Sequence, residues 1–316
     1  MRLFVRFTLG EGADMVRLDG DARGWAAGRR AERVRAGQAW LRRWVCACVC
    51  LGVGAARALT GGAGPSEEPT DPAWAAVGSL DVGGRLFSAT LIGRQHVITA
   101  AHVVAGANPA NIRFRSAAAD GFSSAGTSVQ VHPGYTGSSA HNSPGDPSVH
   151  ADLAIVRLAT PAPSAMPVAR VFTGPVLGRV LTLVSHGGST TLFTTGENRA
   201  DVVFPDFLGR PATYLFDFDG PDLASNRLGP AVPANGTLGA EREATLANGD
   251  SGSAAFVRVD GRWYLAGVNT FNISFGAAGG ARVAGTGGGG VVLGEQLEWI
   301  RGELERVPPV PGGRAP

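Results

Sequence analysis

Three short stretches of this 316-residue chain carry side chains suited to one piece of chemistry. Val97-Ile98-Thr99-Ala100-Ala101-His102 is a β-prone run ending in two small residues and a histidine. Ala151-Asp152-Leu153-Ala154-Ile155-Val156 opens an apolar strand with an aspartate, and Asn248-Gly249-Asp250-Ser251-Gly252-Ser253 sets a serine among glycines. A serine hydroxyl is a poor nucleophile near neutral pH unless a neighbouring base takes its proton. Imidazole, with an unperturbed pKa of about 6.5, suits that task. A buried carboxylate then fixes the imidazole tautomer and stabilises the imidazolium that forms. Glycines around Ser251 give the backbone access to positive φ, which lets the Gly249 and Ser251 N–H groups aim at one point as an oxyanion hole. Alone, each stretch has a plainer reading: a structural histidine, a turn-capping aspartate, a tight Gly-Asp-Ser-Gly turn. Together, in the order His102, Asp152, Ser251, they favour nucleophilic catalysis.

Such groups need elements to hold them, and from Ala76 onward the chain reads as short β-prone runs separated by Gly, Pro, Asn and Asp. The expected strands are Ala76–Leu80, Leu86–Ile92, His96–Thr99, Ile112–Arg115, Ser128–His132 and Leu153–Leu158. After a Pro-rich connector, Thr160–Pro167, come Val180–Ser185, Asp201–Phe204, Tyr214–Phe218, Ala254–Val259, Trp263–Val268 and Val291–Leu293. One good helix is expected, Glu295–Val307, with Leu297, Ile300 and Leu304 on one face. The fold class is therefore all-β: two β-barrels or sandwiches, residues 59–165 with His102 and Asp152, and residues 166–306 with Ser251 and the C-terminal α-helix. Residues 307–316 read as a loose Pro/Gly-rich tail, and Asp219–Glu243 as a long polar loop, either a surface insertion or part of a binding rim.

The formal net charge of +2 hides an asymmetry. Residues 1–58 hold 11 Arg against 5 acids, whereas the body is weakly acidic at −4, and all 28 basic residues are Arg. A weakly acidic body without a basic cluster excludes nucleic acid as a partner. Arg42-Arg43 precede thirteen uncharged residues, Trp44 to Ala56, which end at Ala56-Arg57-Ala58. That is the pattern of a secretory signal peptide cut between Ala58 and Leu59, and the apolar stretch is too short for stable membrane insertion. Residues before about Arg29 lie too far upstream for an ordinary signal and read as an unused extension. Cys46, Cys48 and Cys50 all fall in the signal segment, so the mature protein is expected to be secreted, extracellular or periplasmic, and to fold without disulfides.

The chain resembles the trypsin/chymotrypsin-like serine peptidases. The resemblance is carried by Thr-Ala-Ala-His at Thr99–His102, Asp-Leu-Ala-Ile-Val-Arg-Leu at Asp152–Leu158 and Gly-Asp-Ser-Gly at Gly249–Gly252. Shorter matches are His132–Tyr135, Leu265–Val268 and Leu297–Ile300, so it runs from about Leu59 to Ile300. It implies two antiparallel six-stranded β-barrels packed around a cleft. In that cleft His102 is the general base, Asp152 the orienting acid and Ser251 the nucleophile of an acyl-enzyme mechanism, with no cofactor and no metal. Leu59-Thr60-Gly61-Gly62 resembles the family's mature amino terminus, whose α-amine pairs with the Asp before the nucleophile, here Asp250; export would then create the activating terminus. Ser253-Ala254 depart from the family's usual Gly-Pro, and Val184–Ser189 stands where the family often has a Gly-Trp-Gly turn. Thr245 takes the position at the floor of the primary specificity pocket, with Thr270, Phe271 and Asn272 as its wall, which implies an uncharged P1 residue. The expected partners are protein or peptide substrates, and the expected state is a monomer. Two other readings are a non-catalytic homologue that binds proteins in the cleft, and an esterase with the same three residues. His141, Asp146 and His150 match no strong metal motif and are read as a solvated loop.

Overall fold

The computed structural model describes residues 2–8, 13–19, 59–66, 71–116, 121–137, 147–189, 192–229, 236–275 and 284–306. The expected signal segment with Cys46, Cys48 and Cys50, the tail 307–316, and His141 and Asp146 lie outside these residues. In chain order the strands are β1 (Arg2–Thr8), β2 (Ala13–Asp19), β3 (Thr60–Gly61), β4 (Ala63–Ser66), β5 (Val77–Val82) and β6 (Arg85–Gly93). There follow β7 (His96–Thr99), β8 (Ile112–Ser116), β9 (Ser123–Val131), β10 (Ala154–Leu158), β11 (Val180–Ser185) and β12 (Phe193–Arg199). The last six are β13 (Val202–Pro205), β14 (Pro211–Asp217), β15 (Ala244–Thr245), β16 (Ala254–Val259), β17 (Arg262–Ser274) and β18 (Thr286–Val292). Two α-helices join them, α1 (Ala101–Val104) and α2 (Leu297–Glu305), the latter close to the helix expected from the sequence. Among the described residues no helix is long and apolar enough to cross a membrane.

The fold is mostly β. Six strands close into an antiparallel barrel in the order β10-β7-β6-β5-β8-β9, and a second, large antiparallel sheet follows the path β13-β14-β18-β17-β16-β11-β12-β4. Strand β8 shows the simple alternation of a one-sided strand: Ile112 and Phe114 are buried and Arg113 is exposed. Strands β6, β7 and β10 differ, because both of their faces are covered. Leu91, Val97, Ala154 and Val156 point into the barrel core. Ile92, Ile98, Leu153 and Ile155 point the other way, into a cluster shared with Val184, Phe193, Phe256, Leu265, Val268 and Ile300. That double burial is why His96–Thr99 and Leu153–Leu158 read as unbroken apolar runs, and it clamps the barrel wall to the second sheet. Helix α2 adds Trp299, whose ring meets His132 edge-on at 4.8 Å. The two shorter motifs containing these residues, His132–Tyr135 and Leu297–Ile300, thus touch across the fold.

The amino-terminal strands were not expected. β1 pairs with β2 in a hairpin and also adds antiparallel to the end of β17, with Arg6 opposite Ser274 and Thr8 opposite Asn272. The segment read as an unused extension therefore contributes two strands to the second sheet.

Candidate active site

His102 sits in the first turn of α1, the four-residue helix that follows β7. Ala100 and Ala101 on its N-terminal side are fully buried, so small side chains let this turn press against the barrel. Asp152 lies just before β10, which pairs with β7 in a register placing Ala154 opposite Thr99. The two strand ends thereby bring residues 50 positions apart into contact. Asp152 Oδ1 accepts from the His102 backbone N–H at 2.8 Å, and Oδ2 lies 2.7 Å from His102 Nδ1. The carboxylate thus fixes both the backbone and the ring of the histidine. On the opposite edge of the ring, Nε2 lies 2.8 Å from Ser251 Oγ. Burial works against the charged imidazole, but the Asp152 charge and hydrogen bond outweigh it, and the His102 pKa is raised above its ordinary 6.5.

Ser251 belongs to the turn before β16, in the second sheet, yet it is tied to the first barrel. Its carbonyl accepts from the Ser88 N–H of β6 at 3.1 Å. Gly252 has φ +84°, and a Cβ there would stand 2.1 Å from Thr99 Oγ1 and 2.2 Å from the Ser88 carbonyl. Gly249 has φ +98°, and a Cβ there would press on the Gly187–Gly188 backbone at 3.1–3.5 Å. Neither the Gly249 N–H nor the Ser251 N–H has a hydrogen-bond partner among the described residues.

Asp250 is fully buried and holds three chain segments. Its Oδ2 accepts from the Leu59 backbone nitrogen at 2.9 Å and from the Ala247 N–H at 2.5 Å, while Oδ1 accepts from the Ser185 hydroxyl at 2.5 Å. Leu59 is itself buried, with φ +41°. β3 then pairs with β15, Thr60 opposite Thr245. Ser185 Oγ also lies 3.1 Å from Ser88 Oγ and accepts from the Gly187 N–H. The departure noted at Val184–Ser189 is therefore where Asp250 finds its second anchor. Sequence reasoning missed Ser185 and Ser88, and also Asn269, which is fully buried behind the serine turn. The Asn269 side chain donates to Ser253 Oγ at 2.9 Å and accepts from the Tyr214 hydroxyl at 2.7 Å, while its carbonyl accepts from the Gly252 N–H. Nothing in the run Leu265–Phe271 marks that role.

The pocket candidates are less uniform. Thr245 is fully buried on β15, and its Oγ1 has no hydrogen-bond partner among the described residues. Thr270 is buried and Asn272 half-buried on β17. Phe271 joins Leu215, Ile273, Phe275, Val149 and Leu228 in an apolar cluster and packs on Gly289. Leu246, the residue after Thr245, packs on the neighbouring Gly288. Consecutive residues of a strand point to opposite faces, so Phe271 and Leu246 lie on opposite faces of β18.

Next to the Leu59 segment, Glu243 ties together the described parts of the polar stretch 219–243. Its carboxylate accepts from the Asp219, Leu238 and Thr237 donors, and its carbonyl from the Gly62 N–H. Asp201, Asp217 and Asp219 are buried beside it. Burial and the Asp217 and Glu243 charges push Asp219 up to about 7. Asp201, next to Asp217, is raised still further by the same causes. Among the described residues no group of His, Cys, Asp and Glu is arranged to hold a metal ion. His150, read as part of a solvated loop, is instead buried, with Nδ1 2.8 Å from Thr213 Oγ1.

A closed barrel and a large antiparallel sheet that meet at a hydrogen-bonded Asp, His and Ser define the trypsin-like double-barrel class. A family model for the trypsin-like peptidase domain matches residues 87–268, more than half of the chain, and the chain belongs to that family. No curated protein matches it.

Proposed function

We propose that the protein is a secreted serine endopeptidase that cleaves peptide bonds through an acyl-enzyme. The observation that carries this reading is the continuous line from Asp152 Oδ2 through the His102 ring to Ser251 Oγ, at 2.7 and 2.8 Å. Ser251 attacks the scissile carbonyl as His102 Nε2 takes its proton, and His102 then returns that proton to the leaving amine. Water repeats the cycle on the ester. Asp152 keeps Nδ1 protonated and offsets the imidazolium charge. The Gly249 and Ser251 N–H groups meet the oxyanion.

The 2.9 Å approach of the Leu59 nitrogen to buried Asp250 supports a second part of the reading: cleavage between Ala58 and Leu59 during export frees an α-ammonium that pairs with Asp250 and holds the oxyanion turn. A naturally exported form that begins elsewhere and is fully active would overturn it. Thr245, which by resemblance takes the floor of the primary pocket, is not an acid, which supports an uncharged P1 residue; a sharp preference for Arg or Lys would refute that.

The deciding experiment is fluorophosphonate labelling of the chain beginning at Leu59 beside its Ser251→Ala variant. Labelling of the first and not the second is expected. A folded wild-type chain that takes no label would exclude the peptidase reading and leave a cleft that only binds.

A further inference from the structure

β17 changes partners along one edge. Its far edge is taken by β18 over residues 267–274. On the near edge, residues 262–268 pair with β16, and at Asn269 the N–H donates to the Ser253 carbonyl and the carbonyl accepts from Gly252, the two residues that follow Ser251. Three residues further along that same edge, at Asn272, β1 joins. It runs antiparallel to β17, and the hairpin end where Thr8 faces Ala13 is its end nearest the serine.

We propose that the hairpin of β1 and β2 occupies the path of an extended peptide substrate and is displaced when the chain is cut before Leu59. This rests on the peptidase reading above and applies to a chain that folds while still joined to residues 1–58, as the hairpin is paired with β17 only in the uncut fold. A peptide whose carbonyl reaches Ser251 Oγ and which adds to the near edge of β17 leaves the site alongside Asn272, Ile273 and Ser274. Those are the residues β1 already pairs with. A bulge between Asn269 and Phe271 leaves Asn272 two ladder steps from Asn269, about 7 Å along the strand at about 3.4 Å per step, so the overlap begins at about the third residue upstream of the cleaved bond. Backbone pairing of this kind is sequence-tolerant, which lets one segment of the chain stand in for many substrates. It also covers a strand edge that would otherwise recruit other chains. One cut then does two things: it frees the Leu59 amine for Asp250 and unlinks the hairpin from the edge it covers.

The test uses the full chain with a site-specific protease sequence ending at position 58, folded, cut and freed of its leading segment, in wild-type and Ser251→Ala forms. A synthetic peptide of residues 1–19 is titrated back. On Ser251→Ala, the peptide is expected to slow hydrogen exchange at the 272–274 amides. On the wild type, at about ten times its dissociation constant, it should raise KM about tenfold for a substrate with six residues upstream of the cleaved bond, with kcat unchanged. A substrate with two upstream residues, and the rate of fluorophosphonate labelling, should not change. A peptide carrying Phe7→Pro, which removes a donor from a strand paired on both edges, should have no effect. Unchanged exchange at 272–274, or equal inhibition of the short and long substrates, would overturn the proposal. Loss of labelling in the peptide-free cut chain would instead strike the peptidase reading, while the exchange result still decides whether the hairpin docks.

Discussion

Asp152 spends both carboxylate oxygens on one residue, the backbone and the ring of His102. In Asp152→Asn a single acceptor oxygen remains; the amide nitrogen then donates to Nδ1 and forces the tautomer that cannot take the serine proton. We expect kcat for a peptide substrate to fall about 10⁴-fold with the fold retained. The pH profile carries the same information. Acylation needs neutral His102, so kcat/KM rises with pH through the His102 pKa and is lost as pH falls below it. Because Asp152 raises that pKa, the wild-type midpoint should lie above 6.5, and the residual activity of Asp152→Asn should show a lower midpoint. A wild-type midpoint below 6.5 would contradict this account of the electrostatics.

The seam between the barrel and the second sheet is closed by a glycine. In Gly252→Ala the new methyl would meet Thr99 Oγ1 and the Ser88 carbonyl at 2.1–2.2 Å, at a φ of +84° that disfavours any side chain. We expect a loss on the order of 3 kcal/mol in chemical denaturation, from backbone strain and overpacking together. The elements on either side of this seam differ in how readily the sequence reveals them. β7 and β10 are apolar on both faces; β7 ends three residues before His102 and β10 begins two after Asp152, so the candidate site could be read from them. α1 has four residues, too few to show a helical period, and went unread. β12 hides its strand character behind Gly196, Glu197 and the buried Asn198, which bonds the Asp217 and Ala244 carbonyls. β18 is glycine at four positions because neighbouring strands crowd it: a Cβ on Gly287 would stand 2.1 Å from the Phe216 carbonyl and one on Gly290 2.0 Å from that of Val268. Ser185, Ser88 and Asn269 matter through long-range side-chain contacts 15 to 98 residues distant in sequence, and no local pattern announces them.

For the molecule as a whole, two buried sets oppose each other in their response to pH. Burial lowers the His186 pKa to about 4, so the unfolded chain binds a proton more readily below its ordinary 6.5. Its contribution to stability is whole above about pH 6.5 and is lost as pH falls toward 4. Asp201 and Asp219 have the reverse sign: raised above 3.8, they contribute fully below it and lose that contribution as pH rises through their folded values, about 7 for Asp219. Stability should therefore decline on both the acid and the alkaline side. Asp201→Asn is expected to raise Tm more at pH 8 than at pH 4, and an equal gain at both would refute the assignment. Asp250 carries a different consequence. It is one side chain shared by the Leu59 segment, the Ser185 turn and the loop that ends in Ser251. Coupling between two such places is reciprocal. Whatever order the Leu59 segment lends to the serine, an occupant held at the serine must return to it. If the chain is cut at Leu59 as proposed, its new first residue is in that sense a ligand of the site that holds Ser251, bound more tightly while that site is full.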